Sequence, residues 1–191
     1  MKSQDLIKRI VRILLNPIAG WDIHKPEDGE FSFKTIKKPI FVVTLIILFL
    51  ARLVGKTISE LATTDFIYIL GFSVSMLIVD FLYFFLLIFI LNYLTPFYNI
   101  KAGKAKIAFL IYTCLLPFYF CIIVYNLFPA LYFLNVIIVY SLFLFYWGLK
   151  NYLKVQSKDA LIIFITFSLI MLGSYLILNF LFVRPFFDFT F

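Results

Sequence analysis

From Phe66 to Leu94 the chain runs for 29 residues with a single charge, Asp80, among Leu, Ile and Phe. Crossing the hydrocarbon core of a bilayer takes about 20 helical residues at 1.5 Å each, so this run is long enough to span. In lipid the backbone must satisfy its own polar groups, which leaves helices and closed barrels as the only options. The apolar positions are continuous and lack the inside–outside alternation of a membrane strand, which excludes a barrel. Four further apolar runs follow the same pattern: Ile40–Val54, Ile107–Phe128, Leu131–Leu149 and Leu161–Val183. Composition agrees, with 64% hydrophobic and 14% charged residues, against about 45–50% apolar content in a soluble domain. The expected fold is all-α: a polytopic membrane protein with a bundle of five transmembrane helices and an N-terminal amphipathic interfacial helix. Residues 1–38 form a cytoplasmic segment and 39–191 the membrane domain, with spans near 40–60, 66–94, 107–128, 131–149 and 161–183. The first run is short and is expected to continue through Ala51–Ala62, with Lys56 snorkelling outward. The second is long and must tilt, bend or protrude.

Lysine and arginine set the expected orientation, because positively charged loops stay on the cytoplasmic side. Of the 17 such residues, Lys2, Lys8, Arg9, Arg12, Lys25, Lys34, Lys37 and Lys38 precede the first span. Lys101, Lys104 and Lys106 fall between spans two and three, and Lys150, Lys154 and Lys158 between spans four and five. Five spans put all of these on one side and leave Arg52, Lys56 and Arg184 to the other side or its flanks. The expectation is a cytoplasmic N-terminus and an outer C-terminus. The net charge of +7 then reads as topology and as contact with anionic headgroups at the cytoplasmic face. Spread over three short segments, it does not point to nucleic acid. No cleavable signal peptide is visible, since the first apolar stretch is brief and carries charges within it.

In the cytoplasmic segment, Ser3–Pro17 has helical spacing. Leu6, Ile7, Ile10, Ile13, Leu14 and Leu15 make an apolar stripe, with Lys8, Arg9 and Arg12 as a basic edge. Such a helix either lies in the interface of an anionic membrane or packs on the protein's own cytoplasmic face. Asn16 suits an N-cap and Pro17 a first helical position, which predicts a second short helix over about Pro17–His24. Trp21 is expected there as an interfacial anchor, His24 as an exposed polar residue, and Pro26 and Gly29 as the closing turn. Only Tyr125–Leu131 separates spans three and four, which predicts a tight antiparallel hairpin on the outer side. Pro117 removes a backbone donor inside span three and is expected to bend it. Gly71 and Ser75, four apart on span two, allow close helix approach, either within the bundle or in a homo-oligomer. Cys114 and Cys121 lie about 10 Å apart along one helix and cannot bond each other, so they read as soft core residues.

Three stretches together resemble a known family. Leu14–Ile23, "LLNPIAGWDI", is similar to the Asn-Pro…Trp motif of bacterial members of the Yip family, the Ypt/Rab-GTPase-interacting protein domain, with Asn16, Pro17 and Trp21 in the motif positions. Lys104–Phe120 resembles the Tyr…Pro pattern of that family's third span through Tyr112 and Pro117. Val139–Val155 resembles the close of its fourth span through Tyr140, Ser141, Gly148, Leu149 and Lys150. The resemblance implies a five-helix membrane bundle with a cytoplasmic N-terminus, of the shorter prokaryotic type, in a bacterial cytoplasmic (inner) membrane. Eukaryotic members are tied to Rab-type GTPases and vesicle traffic. This chain lacks their long cytoplasmic N-terminal region, so the part available to contact a GTPase is small.

No His-Glu-x-x-His, Gly-x-Ser-x-Gly or phosphate-cradling glycine loop is present, and the chain has one His. No enzyme activity, metal or cofactor is therefore expected. That leaves Asp80. It lies about 21 Å above the cytoplasmic end of span two, and Arg52 lies about 20 Å up the antiparallel span one. An Arg–Asp pair at matched depth is the arrangement that makes such charges tolerable in lipid. Either the pair locks spans one and two together, or Asp80 faces a polar cavity and binds a cation or proton. The expected function is a non-enzymatic membrane scaffold or adaptor for lipid and an unidentified membrane or cytoplasmic protein. The alternative is a small cation or proton channel or permease using Asp80.

Overall fold

In the computed structural model, which describes residues 3–22, 40–60, 64–98, 100 and 102–184, each of the five long apolar runs is helical. Two short helices come first, α1 (Ser3–Leu15) and α2 (Pro17–Asp22). The helices of the five apolar runs are α3 (Ile40–Glu60), α4 (Phe66–Leu94), α5 (Lys104–Leu127), α6 (Ile137–Trp147) and α7 (Ser157–Phe182). Five segments, Phe41–Glu60, Phe66–Tyr98, Lys104–Leu127, Pro129–Tyr152 and Ser157–Phe182, are long and apolar enough to cross a membrane. The chain is thus all-helical among the described residues, in the manner of an integral membrane protein. His24, Pro26, Gly29 and the lysines at 2, 25, 34, 37, 38 and 101 lie outside the described residues.

Short connections force consecutive spans to run antiparallel. One end of the bundle therefore gathers the start of α3, the end of α4, the start of α5 and the start of α7. The docked α1–α2 pair and Lys104, Lys106, Lys150, Lys154 and Lys158 lie at this same end. The opposite end holds Glu60, Phe66, Leu127, Pro129 and Phe182.

Helix α5 is the axis of the bundle and the most buried of the spans, with every residue from Ile107 to Leu115 buried. Helices α3, α4 and α6 pack around it, and α7 closes against α4 and α6. Lipid gives no hydrophobic reward for burying leucine, so small and weakly polar residues decide which helix sits centrally. Ala108, Thr113, Cys114 and Cys121 supply them on α5, and both cysteines are free thiols in the core. On α3 the outward residues Val42, Val43, Ile46, Ile47, Leu50 and Val54 form an exposed apolar stripe, while Phe41, Leu45, Leu48 and Arg52 turn inward.

The fourth span differs from a single α-helix over 131–149. Its α-helical part is only Ile137–Trp147, preceded by a 3₁₀ stretch, Pro129–Val136, and followed by a π turn, Gly148–Tyr152. Pro129 has no N–H to continue the preceding helix, and the backbone breaks at Leu131 (φ −90°, ψ 25°). At the other end the π turn closes with Lys154 in the left-handed region (φ 55°) and Val155 N donating to Leu149 O at 3.1 Å. Pro117, buried within α5, sits in a segment that stays helical from Lys104 to Leu127.

Candidate functional site

Two arrangements stand out, one at each end of the bundle. Nearer the Glu60 end, Arg52 of α3 meets Asp80 of α4. Arg52 Nη1 donates to Asp80 Oδ2 and Nη2 donates to Oδ1 at 3.2 Å, a two-point contact. Asp80 is 0% and Arg52 1% exposed. Isolated ions of this kind cost several kcal/mol each in a low-dielectric interior, and only good geometry offsets that cost. Three phenols surround the pair within electrostatic reach: Tyr83, Tyr119 and Tyr175. Tyr83 donates to the Met171 carbonyl at 3.2 Å and so ties α4 to α7. The Tyr119 hydroxyl has no hydrogen-bond partner among the described residues.

Above the pair is a cavity of about 410 Å³ lined by α3, α4, α5, the 3₁₀ stretch, α6 and α7. Arg52 lines it, as does Tyr175, but Asp80 does not. Lys56 and Glu60 follow at one-turn intervals up α3 and pair at 2.8 and 2.9 Å. Lys56 Nζ also lies 4.4 Å from the centre of the Phe72 ring, a cation–π contact that turns it into the cavity wall. Lys56, expected to snorkel outward, reaches toward the Glu60 end of α3 and is held there between Glu60 and Phe72. Gly55 makes the cavity's inner corner. A Cβ there would run into the backbone of Asn126, so α3 and α5 cross at closest approach only because this residue is glycine. Gly71 and Ser75, where the sequence expectation places close packing, are half-buried.

At the opposite end, α1 and α2 dock on α5, α6 and the π turn. Asn16 caps α2, with Ala19 N donating to Asn16 Oδ1 at 3.2 Å. Pro17 takes the first helical position. The helices touch so closely that a Cβ on Gly20 would come within 2.7 Å of Ile13 Cα. Trp21 is not an interfacial anchor: it is 2% exposed, packed on Phe109 and Tyr152 with ring centroids 6.2 and 5.2 Å away. Gly148 leaves room for it, since a Cβ there would meet the Trp21 ring at 3.3 Å and the Leu110 side chain. Tyr140 donates to the Leu14 carbonyl at 2.7 Å, satisfying one of the acceptors left open at the end of α1. Tyr112 shares a hydrogen bond with Thr44 at 2.9 Å and joins α5 to α3. Arg9 also departs from expectation. It is buried and not on a basic edge, with its guanidinium 4.9 Å from the Phe109 ring centre and 5.7 Å from that of Tyr152.

Sequence reading reached Arg52, Asp80 and the motif residues but missed Gly55, Gly20, the three tyrosines and the role of Arg9. An i, i+4 charge ladder, Arg52-Lys56-Glu60, was the available signal for the cavity. Nothing in the linear pattern distinguishes these tyrosines from the nine others. No protein-family model, curated protein or solved structure matches the chain.

Proposed function

We propose that the chain is a Yip-like, non-enzymatic scaffold of the bacterial cytoplasmic membrane, with its N-terminus cytoplasmic and its α1–α2 end as the contact surface for anionic lipid and a protein partner. The docking of α1 carries this reading. Ile10, Ile13 and Arg9 face the bundle, Ile7, Val11 and Leu15 are exposed as an apolar strip, and Lys8 and Arg12 are exposed beside it. A helix fixed to a membrane bundle with an outward apolar strip and flanking cations suits the headgroup–acyl boundary, where the apolar strip dips in and the cations meet phosphates. The two uses weighed for this helix, packing on the bundle and lying in the interface, are thus served by different faces of it.

Asp80 supports the same reading. Its carboxylate is consumed by Arg52 and does not line the cavity, so it reads as a lock between α3 and α4 and not as a cation-binding group. The test has two arms. A photocrosslinking residue at Lys8 or Arg12 is expected to trap a reproducible protein neighbour in native membranes, while one at Ser59 does not trap the same protein. Purified protein in liposomes is expected to carry no proton or cation flux. A flux abolished by Asp80→Asn, with the fold intact, would replace the scaffold with the channel.

A further inference from the structure

The cavity at the Glu60 end has no part in the scaffold reading and raises its own question. Along α3, exposure rises from the floor to the mouth: 1% for the Arg52 side chain, 22% for Lys56 and 36% for Glu60. Two cations one turn apart therefore line one wall of a half-enclosed space of about 410 Å³, within the usual range of small-molecule sites. Each already has one carboxylate, Asp80 or Glu60. Neither carboxylate exhausts its cation. A guanidinium carries five N–H donors, of which Asp80 takes one from each terminal nitrogen, and an ammonium carries three. Tyr125 and Asn126 add polar side chains across the cavity, and Phe72, Met76 and Ile138 make an apolar wall.

We propose that this cavity binds a phosphate group, presented either by a phospholipid headgroup or by a free phosphate ester. A tetrahedral oxyanion has enough acceptor oxygens to take donors from both Arg52 and Lys56, which a carboxylate engaged on one of them does not do. The same geometry favours an anion over a cation, because Arg52 and Lys56 line the cavity, the lining carboxylate Glu60 is paired with Lys56, and Asp80 does not reach it. The site lies about 12 Å to 6 Å below the Glu60 end of α3, from Arg52 to Lys56. The apolar wall suits the glycerol and first methylenes of a lipid; the open mouth beside Glu60 suits a soluble ester.

The test uses the full chain in dodecyl maltoside micelles. Dioleoylphosphatidylglycerol is the lipid probe, dioleoylglycerol is its control without phosphate, and glycerol 3-phosphate is the soluble probe. Retention of bound lipid by native mass spectrometry and the shift in unfolding temperature are the readouts. Lys56→Gln is expected to weaken binding about tenfold, the size of one charge-assisted hydrogen bond. Glu60→Gln is expected to tighten it by releasing Lys56. Binding of phosphatidylglycerol but not glycerol 3-phosphate assigns the lipid source, and the reverse assigns the free ester. The proposal falls if both variants bind like wild type, because the basic residues at the other end would then account for any retention. It also falls if dioleoylglycerol binds as well as phosphatidylglycerol and glycerol 3-phosphate does not bind. The two variants act in opposite directions, so a loss of fold in one does not mimic the expected result.

Discussion

Asp80 and Arg52 show how a residue that is costly alone becomes neutral in company. Removing one partner leaves an uncompensated buried charge, whereas replacing both with apolar side chains of similar size leaves none. Asp80→Ala and Arg52→Ala are each expected to destabilise the protein by about 3–5 kcal/mol, while Arg52→Met with Asp80→Leu is close to neutral. Thermal unfolding of the three variants in detergent checks this; a double variant as unstable as the singles would mean that the pair contributes net stability beyond mutual neutralisation. The pair's depth was legible in the sequence, because rise per residue is fixed and the helices are antiparallel. The surrounding Tyr83, Tyr119 and Tyr175 were not, because they come from three helices and only tertiary packing brings them to one point.

At the scale of elements, the N-terminal pair α1–α2 is the clearest case of local signals and tertiary packing acting together. The cap at Asn16 and the proline at 17 fix where one helix stops and the next begins. Where the pair goes is decided by Trp21, which fills the space that Gly148 leaves open. Truncating a buried tryptophan costs roughly 3–5 kcal/mol, so Trp21→Ala is expected to free α1 and α2 from the bundle while the spans remain folded. Gly20→Val should have the same effect by driving Ile13 away, since the obstructing atom is backbone and cannot rotate aside. Limited trypsin digestion reads both variants: cleavage after Arg12 should be faster than in the wild-type protein, with cleavage after Lys158 unchanged. Fragility confined to one end would also show that the bundle does not depend on α1–α2.

For the molecule as a whole, orientation is the property to measure. With native Cys114 and Cys121 buried, single cysteines at Lys154 and Ser59 report opposite ends of the bundle. A membrane-impermeant maleimide added to intact cells is expected to label Ser59→Cys and not Lys154→Cys, and both after lysis. The opposite pattern would reverse the topology and put α1 and its basic residues outside.

The sequence alone determined the class, the five apolar helical runs and the ends of the first two of them, because lipid permits few backbone solutions and because unbroken apolar length is visible in one dimension. It also determined that Arg52 and Asp80 lie at one depth. Which face of each span turns inward was not written in the same way. In lipid an inward leucine and an outward one are equally apolar, and the amphipathic contrast that marks a buried face in water is absent. Only the tertiary structure decided that α5 is the axis, that Gly55 is a point of backbone contact between α3 and α5, that Trp21 and Arg9 turn into the protein, and that Arg52 and Lys56 line a cavity which Asp80 does not reach. Those outcomes depend on steric fit among several helices at once, which no single stretch of chain contains.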